Sequence, residues 1–501
     1  MNLRPITRKI PLGFWYGSLS FFQSMLHNLF LLYHIETFVS VYKIDKTSFW
    51  IGETIFLIWN SCNDPLFGWI SDKNLLKTAD EVPVPNIVQK RLSALAWNGP
   101  LYGLSFMTFW FEWAPPAIQF TVCLCLYDGF LTVIDLHHSA LLADLAVSAE
   151  KRTRLNSFCS VFCALGSLSV FMSYLFWKHN NMFQFKLFCA ILAVISMAGF
   201  SFVCKILRKY YIKIAKNEIA QNQDFHPVRS CDYGHYSQPV SKTTDSMKSF
   251  LHQLIGQKNF IWFALMNLIQ VFHCHFNSNF FPLFLDNLVA ESISPTAASI
   301  LLGISFVAPH VNNLYFLSLC RKYGVYKVIQ VLFLVKLVLC MIMFSLGPSH
   351  VWMLCLFIAS NRVFTEGTCK LLNLVISDLV DEDYVIHCRQ QAVSALMFGM
   401  TAFLSKPGQT FAPLIGTWLL SVQTGHDIFQ SGGMDGSIKL DIQKLDIESK
   451  QVYKRGCFDI LIYVPVACAV LQLIAWSKFT LHGKRLRWIK QVRAGSEHRT
   501  V

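Results

Sequence analysis

Twelve apolar stretches, each long enough to cross a lipid bilayer, recur along the whole chain. A bilayer core about 30 Å thick requires about 20 apolar residues in a helix, and a backbone in lipid must satisfy its own hydrogen bonds. The pattern therefore predicts an all-α membrane protein with twelve transmembrane helices. The predicted spans are 11–33, 49–70, 92–111, 117–142, 156–177, 184–204, 260–285, 296–319, 325–346, 351–376, 392–420 and 458–477.

The composition excludes several other classes of protein. Hydrophobic residues make up 53% of the 501 residues and charged residues 15%, against about 25% charged residues in an average soluble domain. A soluble enzyme, a disordered scaffold or a secreted disulfide-rich protein would have a different composition. The sequence offers no pairing of nucleophile and base and no spacing of metal ligands. We therefore expect neither an enzyme nor a bound metal or organic cofactor.

Lysine and arginine residues are concentrated in both terminal segments and in the loops that follow even-numbered spans. Cytoplasmic loops of membrane proteins carry an excess of these residues, so both termini are predicted to be cytoplasmic. The formal net charge of +13 is then a signal of topology and not of nucleic-acid binding. For the basic C-terminal tail, binding of anionic lipid headgroups is an alternative explanation of the charge.

The predicted spans form two sets of six on either side of a basic linker. We predict an N-terminal six-helix bundle at 1–204, a cytoplasmic linker at 205–259, a C-terminal six-helix bundle at 260–477 and a basic cytoplasmic tail at 478–501. Such a division is typical of a duplicated transporter, in which two related halves surround a site near the bilayer midplane.

Short matching strings support the duplication. After the fourth span, Ala-Asp-Leu with Asp144 precedes Arg152, and after the tenth span, Ser-Asp-Leu with Asp378 precedes Arg389. Both strings lie on the side of the membrane that carries the termini, as a parallel repeat requires. Together with the count of six and six spans, they favour the major facilitator fold.

Nine charged side chains lie inside the predicted spans, beyond the first and last turns. Each costs about 2.5 to 3.5 kcal/mol at a helix centre unless it is paired or faces water. Unpaired, they would together exceed the roughly 5–15 kcal/mol of net stability of a typical protein, so we predict that they line a polar interior cavity. They are Glu53, Asp64, Asp128, Asp135, Lys336, Arg362, Glu366, Lys370 and Lys406.

Helical spacing selects the residues of a substrate and cation pathway. Asn60 and Asp64 are four residues apart and share one face of their helix. Asp128 and Asp135 are seven residues apart, which is two turns, and also share a face. Lys406 joins this set because proline and glycine follow it, and a broken helix at membrane depth usually lines a cavity.

A second group of charged residues is assigned to gating or to salt bridges. Arg362, Glu366 and Lys370 advance by four residues, so Glu366 can neutralise the cation on either side of it. The spacing does not distinguish a gate from an internal salt-bridge stack. Asp72, at the end of the second span, belongs to the same group.

The seventh span is dense in polar residues for a membrane helix. Its Asn267 and Gln270 are candidates for hydrogen bonds to a polyhydroxylated substrate, and hydrogen bonding between helices is the alternative. His273 and His275 diverge on a helix, so they do not indicate a metal site.

The string WNSCNDPLFGW at 59–69 resembles the sugar:cation symporter branch of the major facilitator superfamily, of which melibiose permease is a familiar member. That branch typically has two carboxylates four residues apart here. Asp64 matches the second, whereas Asn60 replaces the first. Asp135 and Lys406 match a carboxylate in its fourth span and a lysine in its eleventh. Its acid in span one and its arginine in span five have no counterpart.

The resemblance implies a secondary carrier that moves a small polar, sugar-like solute by alternating access. Because Asn60 removes one acidic ligand, a coupling proton is favoured over sodium, and a buried carboxylate such as Asp64 can exchange one proton per cycle. A lipid or lysolipid carrier of the same fold and a non-transporting receptor or scaffold remain alternatives. We expect a monomer in the plasma membrane, with lipid and a small-molecule substrate as partners and no nucleic acid.

Replacing Asp64 tests its assignment to coupling. We expect Asp64→Asn to abolish proton-coupled uptake, because asparagine does not exchange a proton, while the folded protein still reaches the cell surface. Uptake of labelled solute and surface labelling of the protein in the same cells measure the two effects. Unchanged uptake would remove Asp64 from the mechanism.

Overall fold

The computed structural model describes residues 11–73, 87–146, 148–176, 182–221, 247–284, 288–289, 293, 295–389, 392–424 and 447–500. Within these ranges the chain forms fifteen α-helices, with a π-helical turn after the first, and no β-strand. The helices are α1 (Leu12–Glu36), α2 (Lys46–Asp72), α3 (Ile87–Met107), α4 (Pro116–Leu145), α5 (Ala149–Phe176), α6 (Phe183–Gln221), α7 (Met247–Gly256), α8 (Lys258–Phe284), α9 (Pro295–Tyr323), α10 (Val325–Leu346), α11 (Val351–Ile386), α12 (Ser394–Ser405), α13 (Pro407–Thr424), α14 (Ile447–Ser477) and α15 (Gly483–Thr500).

Each predicted span coincides with a helix, except that the eleventh is divided into α12 and α13. The division lies at Lys406, whose backbone N–H donates to the carbonyl of Ala402 at 2.8 Å. Pro407 follows and has no N–H with which to continue the hydrogen-bond ladder. The Lys406 side chain therefore lies at the junction of two shorter helices.

Two helices continue beyond the apolar stretches that predicted them. α6 extends to Gln221 and α11 extends to Ile386, so both helices include polar residues beyond the predicted spans. The predicted linker thus contains the end of α6 and all of α7, and its residues 222–246 lie outside the described ranges. The predicted basic tail contains α15.

Among the described residues, four helical segments are long and apolar enough to cross a membrane by length and composition alone. They are α4, α6 over Phe183–Ile212, α10, and α14 over Lys450–Ser477. α2 has 27 residues and is long enough, but its polar and acidic side chains lower its mean hydropathy.

Large apolar side chains cover outward faces of several spans. Ile58 is 63% exposed, Val194 is 64% exposed and Leu356 is 62% exposed. Exposed apolar surface of this kind is unfavourable in water and suits contact with lipid tails. Together with the helical spans, these faces make the chain an integral, multi-pass membrane protein.

The chain divides into two compact units. The first comprises Met1–Gln257, Ile376–Met400 and Leu481–Val501, and the second comprises Lys258–Val375 and Thr401–Thr480. The first unit therefore contains α1 to α7 and, from the second half of the sequence, the end of α11, the beginning of α12 and α15. Ion pairs described below hold these later segments in the first unit.

In the first unit, α1 packs along α5 and α6, and α3 packs against α4 and α6. Glycines permit the closest contacts. A Cβ atom on Gly17 would lie 2.7 Å from the carbonyl carbon of Phe158, and one on Gly166 would lie 2.8 Å from the carbonyl oxygen of Phe21. The backbones of α1 and α5 are therefore in direct contact.

α2 approaches residues 394–400 in the same manner. A Cβ atom on Gly68 would lie 2.8 Å from the carbonyl oxygen of Ala395, and one on Gly399 would lie 2.5 Å from that of Asp64. This contact brings the C-terminal end of α2 to the first turn of α12.

In the second unit, α8 packs against α13 and α14, and α10 packs against α14. Phe276 and Phe280 of α8 stack with ring centroids 4.8 Å apart inside a buried apolar cluster. A Cβ atom on Gly408 would lie 2.6 Å from the carbonyl oxygen of Leu268, so the start of α13 lies directly on α8.

Adding one methyl group at Gly399 tests the contact between α2 and α12. We expect Gly399→Ala to destabilise the protein by about 1–3 kcal/mol, because the new methyl would overlap the α2 backbone. Gly256→Ala is the control, since a Cβ atom there meets nothing within 4 Å. Thermal unfolding in detergent compares the two variants, and equal stability would contradict the close approach.

Candidate functional site

Buried ion pairs in the first unit connect segments from both halves of the sequence. They lie at the ends of α2, α3, α4, α5 and α11 and on α15. We refer to them as the ion-pair cluster. Its members are Asp72, Arg91, Asp144, Arg152, Asp378, Asp381, Glu382, Asp383, Arg389, Arg485, Lys490 and Arg493.

Arg91, near the start of α3, binds two carboxylates. Its guanidinium nitrogens lie 2.7 Å from an oxygen of Asp72 and 3.2 Å from one of Asp144, and none of the three side chains is exposed. Asp72 also accepts a hydrogen bond from the backbone N–H of Leu396 at 2.9 Å, and Asp144 accepts one from the Ser394 hydroxyl. The first turn of α12 is thus attached to α2 and α4, and a carboxylate is favourable at a helix N-terminus.

Arg152, near the start of α5, forms the second centre of the cluster. Its guanidinium lies 2.7 Å from Asp381 and 3.1 Å from Asp378, both on the extension of α11. The Lys490 ammonium lies 2.8 Å from the same Asp378 oxygen. Arg152 is only 1% exposed, so its charge is neutralised almost entirely by these carboxylates.

α15 is attached to α11 by its basic residues. Arg485 lies 2.6 Å from Glu382, and Arg493 binds Asp381 while its guanidinium lies 5.4 Å from the centre of the Tyr384 ring. The predicted basic tail therefore uses part of its charge within the protein. Arg485 itself is half exposed, so its pair with Glu382 is the most hydrated of the cluster.

Asp383 forms a separate buried pair with Arg389, and the side-chain amide of Gln257 donates to it at 3.0 Å. Burial alone would raise the pKa of Asp383. The hydrogen bond from His387 and the charge of Arg389 outweigh burial and lower the pKa to about 2. Asp383 is therefore ionised at physiological pH.

Of the residues in the ion-pair cluster, only Asp72 was predicted from the sequence to belong to a gate or a salt bridge. The sequence indicated a different meaning, an internal repeat, for Asp144, Arg152, Asp378 and Arg389. The structure pairs Arg152 of the first string with Asp378 of the second. The repeated spacing of aspartate and arginine was the available signal, but it did not indicate which charges meet.

The predicted pathway residues of α2 and α4 lie in the first unit. Asp64 is buried, whereas Asn60 and Asp128 are half-buried. Asn63, which the sequence analysis did not select, donates through its amide to Asp128 and, at 3.2 Å, to Thr132. The polar faces of α2 and α4 are therefore joined next to Asp64.

Asp135 lies two turns further along α4 and is exposed. It accepts a hydrogen bond at 3.3 Å from the side-chain amide of Gln23 on α1. Asp128 and Asp135 therefore contact different neighbouring helices although they share a face of α4.

The remaining pathway residues lie in the second unit. Gln270 is fully buried, and its amide donates to the carbonyl of Thr365 at 2.8 Å and accepts from Gln472. Its hydrogen bonds thus join α8, α11 and α14. These contacts are of the kind expected if the residue binds neighbouring helices rather than a substrate. Asn267 is buried and Lys406 is half-buried at the helix break. Their role in a pathway stays a prediction.

Two contacts are described for the three charged residues of α11. Glu366 interacts electrostatically with Arg362, one turn away. Lys370 is hydrogen-bonded to the ring of His310 on α9. Whether these contacts serve a gate stays a prediction.

Comparison with known proteins gives the family. Residues 18–229 match the family model described as MFS/sugar transport protein. Transmembrane protein 180 of Gallus gallus is 55% identical over 491 residues, which cover 97% of this chain and 96% of the relative. The chain belongs to the transmembrane protein 180 family. The relative of that name from Mus musculus is 52% identical over 502 residues, which cover 97% of this chain and 95% of the relative.

Solved structures share the fold at low sequence identity. The outward-facing structure of a bacterial homologue of the iron transporter ferroportin has a TM-score of 0.58 and 12% identity, covering 94% of this chain and 100% of that chain. The E. coli fucose:proton symporter FucP has a TM-score of 0.54 and 13% identity, and the match covers 93% of this chain and 98% of that chain. Together with the family model, they confirm the predicted major facilitator fold.

Removing the Arg152 charge tests the ion-pair cluster. We expect Arg152→Met to lower the free energy of unfolding by about 3 kcal/mol, because it leaves buried carboxylates with fewer cations. Arg154→Met is the matched control on the same helix, where the side chain is exposed, and it should change stability by less than about 0.5 kcal/mol. Unfolding of both variants in detergent measures the difference, and similar values would contradict a buried cluster.

Proposed function

We propose that this membrane protein is a secondary carrier that moves a small polar, sugar-like solute by alternating access and is coupled to protons. Two comparisons support the substrate class and the coupling ion. The matched family model is described as a sugar transport protein, and a fucose:proton symporter has a similar fold. The observation that carries the proposal is the ion-pair cluster.

The ion-pair cluster has the physical properties required of a gate. Its contacts attach α5 to the end of α11, α2 and α4 to the start of α12, and α15 to the end of α11. When a buried ion pair separates, both charges regain hydration, and this offsets much of the Coulombic attraction that is lost. Such a contact is stable while water is excluded, and it can separate when water reaches the charges. Alternating access requires a contact of this kind on each side of the substrate.

The proposal extends to topology and assembly. The distribution of lysine and arginine supports cytoplasmic termini, so the ion-pair cluster would close the cytoplasmic side. We propose that the protein acts as a monomer, since each six-helix half of this fold supplies its own face of the pathway. We propose the plasma membrane as its location.

The polar residues that the sequence assigns to the pathway would bind the solute and the coupling proton. Asn60 and Asn267 supply amide groups for hydroxyl recognition. Asp64 and Asp135 supply carboxylates, of which Asp64 is buried and suited to binding a proton. Lys406, at the junction of α12 and α13, supplies a cation at a break between helices.

Uptake by purified protein in liposomes tests this function. Labelled sugars and lysolipids are offered with and without an inward proton gradient. We expect accumulation of a sugar that depends on the gradient and is lost in Asp64→Asn and Lys406→Ala. Lys478→Ala, which removes an exposed lysine outside the spans, is the matched control and should transport normally.

The other outcomes would replace the proposal. Flux of lysolipid without flux of sugars would indicate a lipid carrier. Absence of flux for every solute, with folded and correctly oriented protein, would favour a receptor or scaffold. Gradient-driven uptake that persists in both pathway variants would leave the carrier but remove these residues from its pathway.

A further inference from the structure

A lysine and a histidine form a hydrogen-bonded pair inside the second unit. Nζ of Lys336, on α10, lies 2.9 Å from Nδ1 of His273, on α8. Lys336 is 2% exposed and His273 has no exposed surface. Each residue lies close to the midpoint of its helix, and both helices coincide with predicted spans. The pair is therefore placed near the middle of the bilayer.

Among the described residues, no carboxylate interacts with the pair. The groups that interact electrostatically with Lys336 are the thiols of Cys340, one turn along α10, and of Cys468 on α14. The centre of the Phe333 ring lies 5.7 Å from Nζ. For His273 the interacting charge is Lys336 itself. A lysine at this depth without an acidic partner is costly in a purely structural role and marks a functional site.

The pair is able to exchange one proton. In its protonated form, the Lys336 ammonium donates to Nδ1 of a neutral His273 ring, and the pair carries one positive charge. After loss of that proton, an amine and a neutral imidazole still form one hydrogen bond, and the pair is uncharged. A second added proton would place two like charges at hydrogen-bond distance in a buried site, which is strongly unfavourable.

The other ring nitrogen of His273 provides an independent observation. Nε2 is buried and forms no hydrogen bond with any described residue. When Nδ1 accepts from Lys336, Nε2 carries the ring hydrogen and is a donor. A buried donor of this kind costs free energy unless an acceptor reaches it. An oxygen atom of a solute or a water molecule is the acceptor that suits this N–H.

We propose that Lys336 and His273 form a proton-binding site, separate from Asp64, at which one proton is bound and released in each transport cycle. The inference rests on the proposed function as a carrier. The proton is held on the Nδ1 edge of the ring, between Lys336 and His273. The solute accepts a hydrogen bond at the Nε2 edge. One imidazole thus contacts both the coupling ion and the solute.

Histidine titration of the full-length protein tests the proton site without any knowledge of the substrate. The protein is labelled with ¹⁵N-histidine, reconstituted in lipid nanodiscs and followed by NMR as the pH is raised. The His273 signal is identified by its absence from His273→Gln. We expect its Nδ1 shift to change in a single transition as Lys336 loses its proton.

Lys336→Arg distinguishes a proton site from a structural pair. Arginine keeps the positive charge and donates a hydrogen bond, but it does not deprotonate in proteins. We expect this variant to fold and to lose the transition of the His273 signal. His252→Gln, which removes an exposed histidine from α7, is the control and should retain the transition. A wild-type His273 signal that is constant with pH, or the same transition in Lys336→Arg, would overturn the proposal.

An uptake measurement separates this inference from the proposed function. For a transported sugar, we expect Lys336→Arg to exchange labelled for unlabelled sugar at equilibrium but to lose accumulation driven by a proton gradient. Full accumulation in Lys336→Arg would overturn the coupling role of the pair even if the wild type is a carrier. Absence of wild-type uptake would contradict the proposed function, and the NMR titration would still decide whether the pair binds a proton.

Discussion

Arg91 and Arg152 have almost no contact with solvent, and the organisation of the first unit follows from the need to neutralise their charge. A buried guanidinium is tolerated only when carboxylates and hydrogen-bond acceptors surround it. Asp72 and Asp144 supply these for Arg91. For Arg152 the nearby carbonyl of Ala146 accepts one hydrogen bond, but the carboxylates come from α11, and Asp381 lies 229 residues later in the chain. Segments from the second half of the sequence are therefore part of the first unit.

The buried polar groups of the two units differ in charge and in their position along the helices. In the first, full charges meet at helix ends, where water is near and separation returns both ions to hydration. In the second, amides and a lysine–histidine pair are buried at membrane depth. There Gln270 joins three helices, and Lys336 has no acidic partner among the described residues. Strong but separable contacts suit a gate, whereas a site with one exchangeable proton suits coupling. A proton-coupled carrier requires both kinds of site.

Part of the candidate site was predictable because ionisable residues are rare in membrane helices. Asp64, Asp128 and Lys406 were found by that rule, and the helix break at Lys406 followed from the proline after it. Asn63 was not selected, although it joins α2 to α4 through Asp128. Asparagine is common between helices and carries no charge, so its importance depends on which side chain lies opposite.

The sequence by itself determined the twelve spans, the membrane environment and the major facilitator fold, because hydropathy, helix length and loop charge are local properties that lipid imposes directly. The tertiary structure decided which charged and polar groups meet. Arg152 binds Asp378 and Asp381 rather than an acid of its own half, and His273 is hydrogen-bonded to Lys336. Spacing along a helix fixes the face on which a side chain lies, but the partner on another helix depends on how the backbones pack. Contacts at glycines such as Gly68 and Gly399 set that packing.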